Sequence, residues 1–200
     1  DGKEYWGEAL PLEEPPDMRP FSAIERLPEL QDAVQATINW ALEVKDISED
    51  PGTVGEYYPP FLVLNGIPGC GKTMLAKAAC HVMWGRRPVL FITEAAMIKL
   101  LHQSLARNQV DAVMEELMGI PHLILDDYGA AALTPGSWGH GKRDELLSYR
   151  WENDQRTMIT TNLKSDEIRA DSPRLASRMM DKAKAVNVAI QAADYRQKVR

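Results

Sequence analysis

Residues 66–73, Gly-Ile-Pro-Gly-Cys-Gly-Lys-Thr, fit the spacing G-x-x-x-x-G-K-[ST]. The glycines, the lysine and the threonine of that run each have a role in phosphate chemistry. Gly66, Gly69 and Gly71 let the main chain wrap closely enough to aim N–H groups at phosphate oxygens. A helix beginning at Lys72 adds the positive end of its dipole. Lys72 is expected to reach the β- and γ-phosphates of ATP, and the Thr73 hydroxyl to ligate Mg²⁺. Pro68, Cys70 and Met74 complete the expected nucleotide-binding set. Cys70 fills a variable slot, and its side chain reads as structural.

A second stretch, His-Leu-Ile-Leu-Asp-Asp-Tyr-Gly (122–129), ends an apolar run on two adjacent carboxylates. Desolvating two anions side by side is costly, so the pair calls for a positive charge. Mg²⁺ held by Asp126 and Thr73 supplies it if this strand lies beside the phosphate-loop strand, with the aspartates at its C-terminal end. Asp127 is then the group that orients or deprotonates an attacking water. Its side chain is one methylene shorter than that of Glu. A displacement of about 1 Å can cost on the order of 10²-fold in rate, so slow hydrolysis is expected. The alternative for Asp127 is a loop-stabilising acid.

Two further side chains carry possible chemistry. Asn162 closes the apolar run Thr-Met-Ile-Thr-Thr (157–161) and either contacts the γ-phosphate, positions water or forms a turn. Arg174 and Arg178 lie four apart on one helix face. Such a helix either covers a solvated surface or projects a planar, permanent charge into a neighbouring subunit's nucleotide.

The elements that must position these groups alternate. Apolar residues Leu30, Ala33, Val34, Thr37, Ile38, Ala41 and Leu42 predict a helix over Glu29–Val44. Strands are predicted at 61–65, 88–93, 122–126, 157–161 and 185–190. Helices are predicted at 72–84, 94–105, 110–118, 141–153 and 172–183. Short, continuously apolar strands between helices point to an α/β fold with a parallel sheet covered on both faces. The segments 1–20, with four prolines, and 49–60 read as linker and loop. The Gly-rich stretch 129–141 reads as a loop, either moving with nucleotide state or passive with Trp138 tucked against the body.

Two hundred residues, 44% of them apolar, suit one domain. No apolar run approaches the roughly 20 residues that span a bilayer, so no membrane segment is expected. The acidic, Pro-rich start is unlike a secretory signal. It begins at Asp1 without Met, which suggests an upstream segment. Cys70 and Cys80 show no zinc-ligand spacing with the four histidines and read as reduced thiols of a cytoplasmic protein. The net charge of −6 is uneven. Residues 1–60 hold 4 Lys/Arg against 14 Asp/Glu, and residues 139–200 hold 13 against 9. The basic tail is compatible with a localised phosphate-binding face, and equally with an ordinary solvated surface.

The ordered set Gly-Ile-Pro-Gly-Cys-Gly-Lys-Thr, Leu-Ile-Leu-Asp-Asp-Tyr-Gly, Met-Ile-Thr-Thr-Asn, Arg-Leu-Ala-Ser-Arg-Met and Ala-Asp-Tyr-Arg resembles the bacterial replicative helicase-loader branch of the AAA+ ATPases, relatives of DnaC and DnaI, with the IstB transposition helper close by. The similarity covers roughly residues 60–200. It implies a P-loop NTPase (AAA+) core, a five-stranded parallel sheet flanked by helices, over 29–200. With Arg196 so near the end of the sequence, no C-terminal helical lid domain is expected. Residues 1–28 would be an acidic linker or the remnant of an N-terminal partner-binding region.

The resemblance also implies roles. Asp127 takes the catalytic acid position, Asn162 is sensor 1, Arg178 the arginine finger, and Arg196 a late arginine that touches nucleotide. Family members assemble head-to-tail into rings or open spirals. They bind single-stranded DNA, and the helices between Glu94 and Met118 match where DNA-contacting helices sit, with Lys99, His102 and Arg107 as phosphate-seeking side chains. The implied function is ATP-dependent loading of a replicative helicase. The alternatives are an IstB-like ATPase assisting a transposase, a P-loop small-molecule kinase, and a catalytically silent nucleotide-gated adaptor.

Overall fold

The structure is a computed structural model that describes residues 20–24, 28–43, 58–84 and 86–195. The expected N-terminal linker (apart from Pro20), most of the 49–60 loop, Val44 and Arg196 lie outside the described residues.

Five strands form one sheet: β1 (Phe61–Gly66), β2 (Val89–Thr93), β3 (His122–Tyr128), β4 (Arg156–Thr161) and β5 (Ala185–Ile190). Their order is β2-β3-β4-β1-β5, and every pairing is parallel. Side chains alternate across the pleat, so each strand feeds two cores. Phe61, Val63, Leu123, Leu125 and Ile159 face one side, and Leu62, Leu64, Ile124 and Met158 the other.

The second face is covered by α1 (Gln31–Leu42) and α2 (Lys72–Met83), which bring Trp40, Leu75 and Ala79 onto it. The first is covered by α3 (Glu94–Leu105), α4 (Val110–Gly119), α5 (Trp138–Glu152), α6 (Ser165–Asp171) and α7 (Pro173–Met179). Covering both faces explains why the inner strands β1, β3 and β4 are buried along most of their length rather than at every second residue. A fully buried arginine, Arg150, ties α4 to β4. It donates to the carbonyls of Leu117 (3.1 Å), Ile120 (2.7 Å) and Arg156 (2.7 Å) and to Thr157 Oγ1 (2.8 Å).

Three expectations need correction. The strand bearing the aspartates is not beside the phosphate-loop strand, because β4 lies between β1 and β3. Helix α5 begins at Trp138 rather than Gly141, because Ser137 caps it by accepting the His140 N–H (3.4 Å). Trp138 is therefore helical, and its ring lies 5.0 Å from that of His102. The helix expected over 172–183 is shorter, ending at Met179, and Pro173 opens it as α7 after a break at Ser172 that separates it from α6, a helix the sequence did not suggest. Among the described residues no helix is long and apolar enough to cross a membrane.

Candidate nucleotide site

The loop between β1 and α2 is shaped by what its neighbours leave room for. A Cβ at Gly66 would lie 2.8 Å from Cys70 Sγ and 2.8 Å from the Ile190 carbonyl oxygen, so the strand end, the loop and β5 close on one another only through glycine. Gly69 has φ +79°, and a Cβ there would lie 1.8 Å from Asp194 Oδ1. The segment after β5 crosses the loop at that point, with the Tyr195 N–H donating to the Gly69 carbonyl (3.2 Å). Cys70 is fully buried, in keeping with a structural side chain. Lys72 Nζ donates to the carbonyls of Gly66 (2.7 Å) and Ile67 (2.9 Å) and lies 3.6 Å from Cys70 Sγ. The ammonium is thus folded into the loop, and meeting a phosphate means exchanging carbonyl oxygens for phosphate oxygens.

Thr73 and Asp126 come together as the motif spacing suggested. Thr73 Oγ1 donates to Asp126 Oδ1 at 3.2 Å. The intervening strand contributes a residue that the sequence did not single out: Thr160 Oγ1 donates to the same Oδ1 at 2.6 Å and accepts the main-chain N–H of Asp127 at 2.9 Å. Asp126 is 2% exposed, and burial raises its carboxyl above the ordinary range. The Thr160 hydrogen bond opposes that, the neighbouring Asp127 adds to it, and the Thr73 hydrogen bond and Lys77 pull the other way.

A buried carboxylate held up in this way gains from a cation. The donors available are hard oxygens, a hydroxyl and a carboxylate, which suit Mg²⁺. Among the described residues no cluster of three His, Cys, Asp or Glu could enclose a metal by itself.

Asp127 is set apart from its neighbour by the backbone. The pairing of Leu125 with Ile159 and of Tyr128 with Thr161 leaves one extra residue on β3, a bulge, and Asp127 has φ +57° within it. Its side chain is half-buried, and among the described residues its carboxylate takes no hydrogen bond. Asn162 is exposed directly after β4 at the same sheet edge, where Asn65 of β1 pairs with Thr161 and its amide donates to the Leu163 carbonyl.

Arg178 is not brought to this edge. Arg178 Nη2 (2.6 Å) and Arg174 Nη2 (3.0 Å) both donate to Glu152 Oε1, on the last residue of α5. That helix end leads into the start of β4, so Arg178 sits at the edge opposite its own phosphate loop. Lys99, His102 and Arg107 are exposed on α3 and in the turn after it.

Residues 60–200 match the family described as IstB-like ATP binding protein. A curated relative, the ATP-dependent zinc metalloprotease FtsH of Mycoplasmopsis synoviae (strain 53), is 30% identical over 113 residues, 53% of this chain. The match spans only 17% of that protein's length. Among solved structures, the DnaC helicase loader superposes with a TM-score of 0.66 at 19% identity, over 85% of this chain and 94% of that one. The replication initiator DnaA bound to AMPPCP and single-stranded DNA gives 0.70 at 14% identity, over 87% of this chain and 50% of that one. These likenesses establish the P-loop AAA+ fold.

Proposed function

Because the chain belongs to the IstB-like ATP binding protein family, we propose that it is a slow, Mg²⁺-dependent ATPase that works as an ATP/ADP switch, loading a replicative DNA helicase onto single-stranded DNA. The observation that carries the proposal is the difference in placement between adjacent aspartates. Asp126 is buried beside Thr73, while Asp127 is lifted out of the strand by a bulge with its carboxylate open to a water.

Lys72 and the loop N–H groups bind the phosphates, and Thr73 and Asp126 would hold Mg²⁺. When bound, the ion neutralises charge developing on the phosphate oxygens. Asp127 orients the attacking water and accepts its proton, and Asn162 at the same edge holds the γ-phosphate or the water in line. The finger is Arg178. Lying opposite its own phosphate loop, it serves the next subunit of a head-to-tail assembly, and delivering it requires release from Glu152. Arg196 is the remaining nucleotide contact. Single-stranded DNA runs along the α3–α4 side, past Lys99, His102 and Arg107.

The helicase reading is supported by the fold shared with the solved chain of the DnaC helicase loader, over 94% of that chain. The family match favours a second reading, in which the same switch assists a transposase. Pull-down of the protein with a replicative helicase and with a transposase, each with ATP and with ADP on single-stranded DNA, separates the two. ATP-dependent capture of the helicase is expected. Capture of the transposase alone would select the second reading, and nucleotide-independent capture of both would refute the switch.

A further inference from the structure

Glu94 is a fully buried carboxylate on the first turn of α3. It has three partners. Oε1 accepts from Arg143 Nη1 (3.1 Å), and Oε2 accepts the main-chain N–H groups of Gly129 (3.0 Å) and Ala131 (3.1 Å). Arg143, 1% exposed, is itself held by Asp171 Oδ2 (2.7 Å) and Asp144 Oδ1 (2.9 Å) and lies 4.5 Å over the Tyr128 ring. The Tyr128 hydroxyl donates to the same Asp171 oxygen (2.7 Å).

Buried ion pairs of this kind often contribute no more stability than apolar residues of similar volume. Stability is therefore a poor explanation for two ionised groups under the turn after β3. What the pair does is local. It grips residues 128, 129 and 131, immediately beyond Asp127, whose left-handed φ of +57° persists only where the surroundings over-determine it. Thr160 fixes the N-terminal side of Asp127, and the Glu94 cluster fixes the C-terminal side.

We propose that Glu94, oriented by Arg143, is a positioning residue for ATP hydrolysis: it anchors the 129–131 turn and thereby sets the aim of the Asp127 carboxylate. The inference rests on the reading of Asp127 as the water-orienting acid.

Glu94→Gln in the full chain tests it. A glutamine has one oxygen where Glu94 uses two, so it cannot accept from both Arg143 and the turn. Turnover per bound ATP should fall by about tenfold to a hundredfold, the scale set by a misplacement of about 1 Å. ATP affinity and binding stoichiometry should stay at wild-type values. Amide exchange should speed up at Gly129 and Ala131 but not along α2. Asp127→Asn is measured in parallel. If that variant hydrolyses ATP at the wild-type rate, the reading of Asp127 fails and the inference falls with it. If it is inactive while Glu94→Gln keeps wild-type turnover per bound ATP, the positioning role alone is overturned. A merely structural pair would lower melting temperature and binding stoichiometry and leave turnover per bound ATP intact, which also overturns it. Should the Gln variant not fold, Glu94→Asp keeps the charge facing Arg143 but withdraws it from the turn. The same loss of turnover is expected, and its absence would be equally decisive.

Discussion

Asp126→Asn should make the nucleotide-free protein more stable at neutral pH while removing most of the stabilisation that Mg·ATP confers. The variant preserves the local geometry, since an amide oxygen can still accept from Thr160 Oγ1 and Thr73 Oγ1. It deletes a charge that burial and Asp127 both disfavour. With the folded-state value raised above the ordinary 3.8, Asp126 contributes stability below that value and loses it as pH rises through the folded value. The Asn variant should therefore match wild type in acid and outlast it increasingly from pH 3.8 upward, the gap levelling once Asp126 is fully ionised.

Ligand reverses the order. Mg·ATP at 100 times its Kd adds about 2.7 kcal/mol, because it binds only the folded state. For a chain of this length that is about 5–11 °C in Tm. A hundredfold loss of affinity at the same concentration leaves about 0.4 kcal/mol, or about 1 °C. Thermal melts from pH 4 to 8, with and without Mg·ATP, read both effects. Equal Tm for the two proteins without nucleotide at every pH, or an undiminished Mg·ATP shift in the variant, would refute the account of Asp126.

Two further perturbations test the rest of the site. Arg178→Ala and Lys72→Ala proteins should each be inactive, yet a mixture should recover part of the ATPase through one intact interface, and no recovery at any ratio would deny Arg178 a role in trans. Gly69→Ala should cost roughly 1–2 kcal/mol from its positive φ alone, and more where the methyl group meets Asp194. Repeating it in an Asp194→Ala background, by urea titration, should return the cost to the backbone contribution; equal costs in both backgrounds would show that Asp194 does not crowd the loop.

The strands were legible because each is a short apolar run. Their order was not, since a strand buried on both faces reads the same wherever it lies in the sheet. That is why β4 was missed as the strand beside β1, and with it Thr160, which as a β-branched residue in a strand carries no separate signal. The phosphate loop and Thr73 were readable because their spacing is set by local chain geometry, and Asp126 because carboxylates that end an apolar run call for a partner. Glu94 was not, because an acid in the first turn of a helix is what the dipole favours anyway. Helix α6 escaped because Ile168 is its one buried residue and leaves no periodic stripe. The start of α5 was set by a serine cap amid glycines, which composition alone reads as loop.

The same limits explain how two chemically identical neighbours come to differ. In a regular strand Asp126 and Asp127 would point to opposite faces, and both faces of this sheet are packed. A second carboxylate would then be buried in a core with no partner, at a cost of several kcal/mol. The bulge at Asp127 avoids that by inserting one residue relative to β4 and turning the chain into the left-handed region. For a residue other than glycine the conformation costs on the order of 1–3 kcal/mol. Thr160 on one side and the Glu94–Arg143 pair on the other supply hydrogen bonds that hold it there. Aspartate also suits the bend better than glutamate, being among the residues enriched at positive φ. The shorter acid is thus favoured by the backbone that presents it, and the slow hydrolysis we propose would follow from the same geometry that keeps the second carboxylate out of the core.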